Sequence, residues 1–393
     1  MLCDMEASRS SRLAAVAALL WTAVAAAADV NVQAYRIGND PGATLQGVSG
    51  DGYHYLTIAP GSEGQVWKVD GKLRQTTSGG TPGSWALSGD GRILLSITDV
   101  PRPDGGAGQS LSINGRPSGA VYGKIEAVFA SEHGTNAGFI AREPGKGCMV
   151  VSAAGAGPML PGCPDSARIV FHDQGVMYLA NWNGTVFVYR DLTPLVNGPY
   201  SDLGASSDLS RWGVYDKDRH VVVIGTQAIP SQFPATTIVL GDDGHYAFSS
   251  VYEDKVVADG IAYDSSPDNP NGLVLRPRSG TPYWSSVGSR TLRIAGHKSP
   301  YKASTAQIGF SPDGKHVGIP VARDGVVLDD KRLESPPPFD SSKVVFDGNS
   351  AFHFLAAQDG ALYLVCGTTD GSSPKRTACA AKARTYAGFS ADL

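Results

Sequence analysis

The feature that most narrows what this chain can fold into is a hairpin phrase that it repeats. Residues 46–59 (QGVSGDGYHYLTIA), 85–98 (WALSGDGRILLSIT) and 308–321 (IGFSPDGKHVGIPV) share one grammar. Alternating apolar residues lead into Ser-x-Asp-Gly, and alternating apolar residues follow it. Asp-Gly between two such runs marks a tight turn, because Gly adopts positive φ at little cost and Asp tolerates it. Looser copies occupy 128–141, 169–182, 212–225 and 344–357, and an eighth, 261–275, carries an insertion in its turn. One turn residue per copy gives Asp51, Asp90, His133, Gln174, Asp218, Asn271, Asp313 and Asn349, spaced by 39, 43, 41, 44, 53, 42 and 36 residues.

A period of about 40–45 residues with four short strands per unit describes the blades of a β-propeller. Several copies continue alike: a Gly-containing turn and then QVWKVDG (65–71), VVLDDKRL (326–333) or ALYLV (361–365). The unit is then an inner strand a, strands b and c, and a polar outer strand d. The expectation is all-β, a propeller of eight four-stranded antiparallel blades, or seven if the irregular 251–300 region belongs to a neighbour. Residues 30–38 (VNVQAYRIG) precede the first strand a without a blade of their own. They are expected to supply the outer strand of the last blade, because ring closure removes exposed sheet edges. The competing occupant of that place is the 374–388 tail. An ordinary β-sandwich is the alternative fold, and it does not require regular spacing.

The run Ser311-Pro312-Asp313-Gly314-Lys315-His316, the Asp-Gly turns of the other copies and VWKVDGK (66–72) resemble the repeats of the WD40-like, TolB-type β-propeller superfamily. The resemblance spans most of 30–368 and implies the architecture alone. The His and Trp-Asp pattern of true WD40 blades is missing, and the resemblance therefore implies no particular ligand.

Composition agrees. The 393 residues include 48 Gly and 25 Pro with 18% charged residues, and beyond the N-terminus no window keeps a 3.6-residue apolar period for four turns. Residues 1–28 read as a secretory signal: Arg9 and Arg12 precede an apolar run over 13–24, and Ala26-Ala27-Ala28 offers a cleavage site. The run is too short to span a bilayer. Residues 29–393 then form a single domain with no membrane insertion after cleavage, placed in the periplasm or secreted by a bacterium. The signal carries two basic and two acidic residues, so the remainder keeps the net charge of −4. That mild acidity gives nucleic acid no electrostatic footing. The four later cysteines suit an exported chain with disulfides, and the local pairing is expected: Cys148–Cys163 and Cys366–Cys379.

A ring of similar blades draws its specificity from the loops that break the pattern. The S-x-D-G turns are therefore read as construction. Three stretches, 98–109, 225–236 and 276–290, read as long b–c loops exposing Arg102, Phe233, Arg276, Arg278, Tyr283 and Trp284, while shorter loops add Arg142, Trp182 and Asn183. Aromatic faces beside Arg and amide donors suit a carbohydrate or a peptide carboxylate. These residues are the candidate ligand-binding set; the alternative is that the aromatics seal blade edges.

Eight histidines raise a catalytic alternative. His54 and His316 recur three residues after a turn Asp, with His220 and His353 close to the same place, which argues for a structural role at the start of strand b. His133, His172, His245 and His297 are scattered. A propeller can still gather one His per blade at its channel. No G-x-S-x-G elbow, phosphate loop or metal-ligand spacing occurs, and the Asx-rich 264–272 turn departs from the calcium-loop pattern. The reading is an exported binding or scaffolding propeller for a protein, peptide or cell-envelope glycan, requiring no cofactor. The alternative is an extracellular hydrolase or lyase with Ca or Zn at the central channel. Oligomeric state is left open.

Overall fold

The computed structural model describes residues 30–386, apart from short segments at 40–43, 63, 78–84, 132–135, 232, 251–253, 266–269, 287–288, 322–324 and 339–341. The signal segment and the turn residue His133 lie outside the described residues. Nine four-stranded antiparallel sheets follow one another along the chain. The first eight blades occupy 44–77, 85–117, 124–156, 169–198, 200–230, 237–264, 270–302 and 309–332. The ninth uses Val345–Phe346, Ala351–Gln358 and Ala361–Thr368, and takes its outer strand from the N-terminus. That strand, β1 (Asn31–Asn39), pairs antiparallel with Ala361–Thr368 from Asn31↔Thr368 to Asn39↔Ala361. The N-terminal segment therefore closes the ring, as expected. The described part of the 374–388 tail, through residue 386, instead turns into a helix, α1 (Ala378–Tyr386), and forms no strand.

The blade count corrects the expectation of eight or seven. The error lies between residues 200 and 302, where the 53-residue interval conceals one blade. Residues 212–225 read as an a–b hairpin but form strands b and c of the fifth blade. The true a–b turn there is 206–211, which keeps the Ser and Asp but places Leu209 at φ 57 where the grammar has Gly. The side chain that makes this backbone unusual is buried in the blade core, and this burial offsets the strain. The sixth blade turns at Asp243-Gly244, and the seventh at 276–281. The stretch 261–275 is no hairpin: it holds the last strand of the sixth blade and the first of the seventh.

The repeated turns are joints. Ser49, Ser88, Ser131, Ser206 and Ser311 each accept, on Oγ, the backbone N–H five residues on. Four of them also donate to the turn Asp, at residues 51, 90, 208 and 313. The turns then bond to the next blade. The Asp51 amide donates to Gly89 O, and Gly89 to Ser131 O. Ser207 donates to Asp242, the Arg278 amide to Asp243, and the Asp313 amide to Asn349 Oδ1. His353 Nε2 reaches Asp51 O at 2.7 Å across the junction of the ninth blade with the first. The apolar core lies between blades: one cluster joins Tyr215 and Val222 of the fifth blade to Ile238, Phe248 and Val257 of the sixth. At the crowded inner strands, a Cβ on Gly309 would meet the Val344 carbonyl and one on Gly204 the Ile238 carbonyl. Only glycine lets backbones approach this closely.

The Ser–Asp bonds have a pH consequence. The Ser206 and Ser311 hydroxyls, aided by backbone N–H groups, hold the Asp208 and Asp313 carboxyls down at about 2, and Ser372 does the same for Asp370. Carboxyls depressed in the folded state contribute stability above their unfolded value near 4, and the contribution fades as pH falls toward 2. Denaturant midpoints are therefore expected to drop between about pH 4 and pH 2. Asp208→Asn/Asp313→Asn should show a shallower drop; an unchanged slope would remove the turn carboxylates as its cause.

Both expected disulfides form, Cys148–Cys163 and Cys366–Cys379, with Cα–Cα distances of 4.9 and 5.7 Å. The first ties strand c of the third blade to the connection that follows. The second ties strand c of the ninth blade to α1, and so closes no hairpin. Among the described residues, no helix is long and apolar enough to cross a membrane.

Candidate functional site: a cavity at the seam of the ring

The face of b–c turns and d–a connections was expected to present the aromatic set. The structure places much of it elsewhere. Tyr283 and Trp284 sit in strand b of the seventh blade (Pro282–Ser286), and both are buried. The alternation that looked like a loop around them is that of a core strand interrupted by polar residues. Phe233 is also buried, packed against Phe248. Arg276 lies in an a–b turn on the opposite face, where its guanidinium donates to the Gly314 and Lys315 carbonyls of the next blade. Arg102 pairs with Asp104 and Glu143, and Arg142 with Glu126. Trp182, 42% exposed, and Asn183, at φ 51 in a two-residue Asn-Gly turn, remain on the surface where they were expected. The set therefore does not converge on one mouth.

A different site emerges at the seam, where the ninth blade meets the first. A cavity of about 810 Å³ is walled by Ile37 and Leu362 of the ninth blade, by the turns of the first and second, and by α1. Its first-blade lining (Asp51, His54, Asp70, Lys72) comes from a–b and c–d turns, so it opens on the face opposite the expected one. This volume is in the range that encloses a small ligand.

Its centre is His54. Nδ1 lies 2.6 Å from Asp70 Oδ2, while Asp70 Oδ1 accepts the Tyr55 amide. Nε2 lies 3.3 Å from Lys382 Nζ on α1. An ammonium can only donate, so Nε2 accepts, and the ring hydrogen sits on Nδ1 facing Asp70. The Tyr386 hydroxyl donates to Tyr53 O at 2.7 Å. Burial, reinforced by Asp70 and Asp51, pushes the Tyr386 phenol far above its ordinary range, so it stays neutral. The Cys366–Cys379 bond anchors the helix that brings Lys382 and Tyr386 to the cavity.

The other blades show what is unusual here. His245 and His316 make the same 2.6 Å bond to Asp259 and Asp329, residues placed as Asp70 is. Their Nε2 atoms, however, serve the next blade: His245 donates to Arg278 O, and His316 meets Thr369 Oγ1. For His245, burial lowers the pKa, but bonding to Asp259 and the Arg278 carbonyl outweighs it and raises the value overall. The seam His54 has no such duty and presents Nε2 to α1 and the cavity instead. Sequence reading identified His54 and His316 as equivalent but took His245 for a scattered residue and His220 for a relative; His220 in fact sits at a b–c turn, bonded to Tyr215. The partner aspartates were missed. Their signal was present as the Asp-Gly of VWKVDGK, sixteen residues after His54. Among the described residues, no three His, Cys, Asp or Glu side chains group to hold a metal.

No protein-family profile matches the chain, and no curated protein matches it. Among solved structures it is similar to a eukaryotic initiation factor, at 12% identity and TM-score 0.41 over 84% of this chain and 91% of that one. It is similar to the dihydro-heme d1 dehydrogenase NirN in complex with DHE, at 12% identity and TM-score 0.40 over 75% and 72%. It also resembles virginiamycin B lyase from Staphylococcus aureus, at 12% identity and TM-score 0.32 over 86% and 99%. Likenesses this distant say nothing about function, and the propeller architecture rests on the strand pairing itself.

Proposed function

We propose that this chain is an exported binding propeller that captures an anionic ligand in the seam cavity. One observation carries the reading: among the described residues, Lys68, Lys72, Arg74, Arg92 and Lys382 line one cavity with three carboxylates, so cations outnumber anions there. The carboxylates are partly engaged already, Asp51 by Ser49, Asp90 by Ser88 and Arg92, and Asp70 by His54. A recess with excess positive charge concentrates negative ligands and holds them through charge-assisted bonds. Two disulfides and the basic-apolar-small pattern of residues 1–28 support a site of action outside the cytoplasm. The ligand is a glycan, peptide or protein segment bearing acid groups, and the partner is met on the a–b face.

Thermal shift with a panel of anions (phosphate, glutarate and a uronate oligomer) tests this. At least one should raise Tm, the gain should shrink as salt rises, and Lys72→Ser/Arg92→Ser should abolish it. Stabilisation by neutral ligands alone would defeat the reading.

A second reading, an extracellular hydrolase or lyase, is favoured by one feature: His54, oriented by Asp70, has the geometry of a general base once a bound ligand draws the Lys382 ammonium off Nε2. On that reading His54→Gln abolishes turnover of the bound ligand while binding persists.

A further inference from the structure

Taking the seam cavity as the ligand site, we infer that its ligand is a hydroxylated carboxylate, a sugar acid of the uronate type, with the carboxylate held by Lys382. The lining decides the class. Cations at Lys72, Arg74, Arg92 and Lys382 share the lining with carboxylates at Asp51, Asp70 and Asp90. A ligand that is anionic throughout gains from the first group and is repelled by the second. A neutral polyol can donate to the carboxylates but leaves the ammonium and guanidinium groups without counter-charge. A sugar acid satisfies both, with hydroxyls donating to Asp and its carboxylate accepting from Lys and Arg. The half-buried Tyr386 ring also borders the cavity, and such a ring suits the apolar face of a pyranose.

Lys382 is the selective cation because a neutral partner positions its charge in advance, whereas Arg92 is already paired with Asp90. Lysine is a point charge on a flexible stem, and ordering that stem normally opposes binding. Here the ammonium is held at 3.3 Å by His54 Nε2, which Asp70 fixes in its accepting tautomer, and it lies 5.6 Å from the centre of the Tyr386 ring. One of its three hydrogens serves His54, and the other two are available to a carboxylate. Arg74 adds a buried Nε without a hydrogen-bond partner among the described residues. His54 and Asp70 thus act as positioning residues for the Lys382 contact.

The test is calorimetric titration of the whole oxidised protein with trigalacturonate, maltotriose, tri-glutamate and inorganic phosphate. Trigalacturonate should bind most tightly, with maltotriose at least 10-fold weaker. Lys382→Met should cost trigalacturonate about 10-fold or more, the range of one charge-assisted contact, and leave maltotriose unchanged. His54→Gln retains an acceptor for the ammonium and should keep most of the affinity, whereas His54→Leu should lose it. His316→Leu, the equivalent change in a blade away from the seam, should lower Tm without affecting binding. Tri-glutamate or phosphate matching trigalacturonate would overturn the sugar-acid class while leaving the anion cavity standing. Undiminished binding by Lys382→Met overturns the assignment of Lys382. If no anion binds, the cavity reading falls too.

Discussion

Trp284→Ala is expected to lower folding stability by about 3–5 kcal/mol, the cost of emptying a fully buried large aromatic site. Trp284 has no exposed surface and packs among Ala247, Val256, Ala258 and Leu273, at the interface of the sixth and seventh blades. Its ring lies 6.2 Å from that of Tyr263. Deleting it leaves a cavity shared by two blades, which neither can close alone. Trp284→Phe should lose much less, since Trp284 Nε1 has no hydrogen-bond partner among the described residues and the indole N–H gains nothing from burial. Trp182→Ala, on the exposed rim, should stay within about 0.5 kcal/mol of the parent. Equilibrium denaturation of the three variants checks this. Equal small effects for Trp284 and Trp182 would mean that Trp284 is not the core residue described.

Removing residues 30–39 should have a still broader effect. β1 contributes Val32 to the core of the last blade and Tyr35 and Ile37 to the cluster beneath α1. Ile37 is buried and Val32 and Tyr35 are partly buried, so at about 1.5–3 kcal/mol for full burial of a large apolar side chain their packing contributes roughly 3–5 kcal/mol. The deletion also leaves Ala361–Thr368 as an unpaired edge, open to pairing with another chain. A protein starting at residue 40 should therefore appear as oligomers or aggregate in size-exclusion, while one starting at residue 30 runs as the parent does. A folded, monodisperse protein lacking β1 would show that the ring does not depend on this strand.

The fold was legible where the turn chemistry is complete. Ser49, Ser88 and Ser311 with their Asp-Gly partners identify three blades, and the alternation around Tyr55, Leu94 and Val317 gives their strands. Legibility failed where another residue took the glycine's place. Leu209 adopts the backbone of Gly52 or Gly91 because its side chain is held in the core, and no local rule announces that. The Asp216–Arg219 stretch imitates a hairpin of the wrong pair of strands, since Asp216 caps its own turn by accepting two amides. The site was less legible still. Tyr283 and Trp284 flank polar residues and read as loop, yet burial is decided by the neighbouring blade. The seam cavity joins residues 37, 54, 92 and 382, and the spacing within any one repeat carries no information about that meeting. Only the paired cysteines hinted that the tail returns to the ring.

The borrowed strand also sets an order of events. A chain emerging from its N-terminus makes β1 first, yet Asn31 has no partner until Thr368 exists. Eight blades can collapse on neighbours close in sequence, but the ninth waits for the whole chain, and such distant pairings form slowly. Until then β1, with Val32, Tyr35 and Ile37 among polar residues, is a strand without a sheet. Final assembly is thus a single late snap, and it is this step that brings Ile37, His54 and Lys382 within reach of one another.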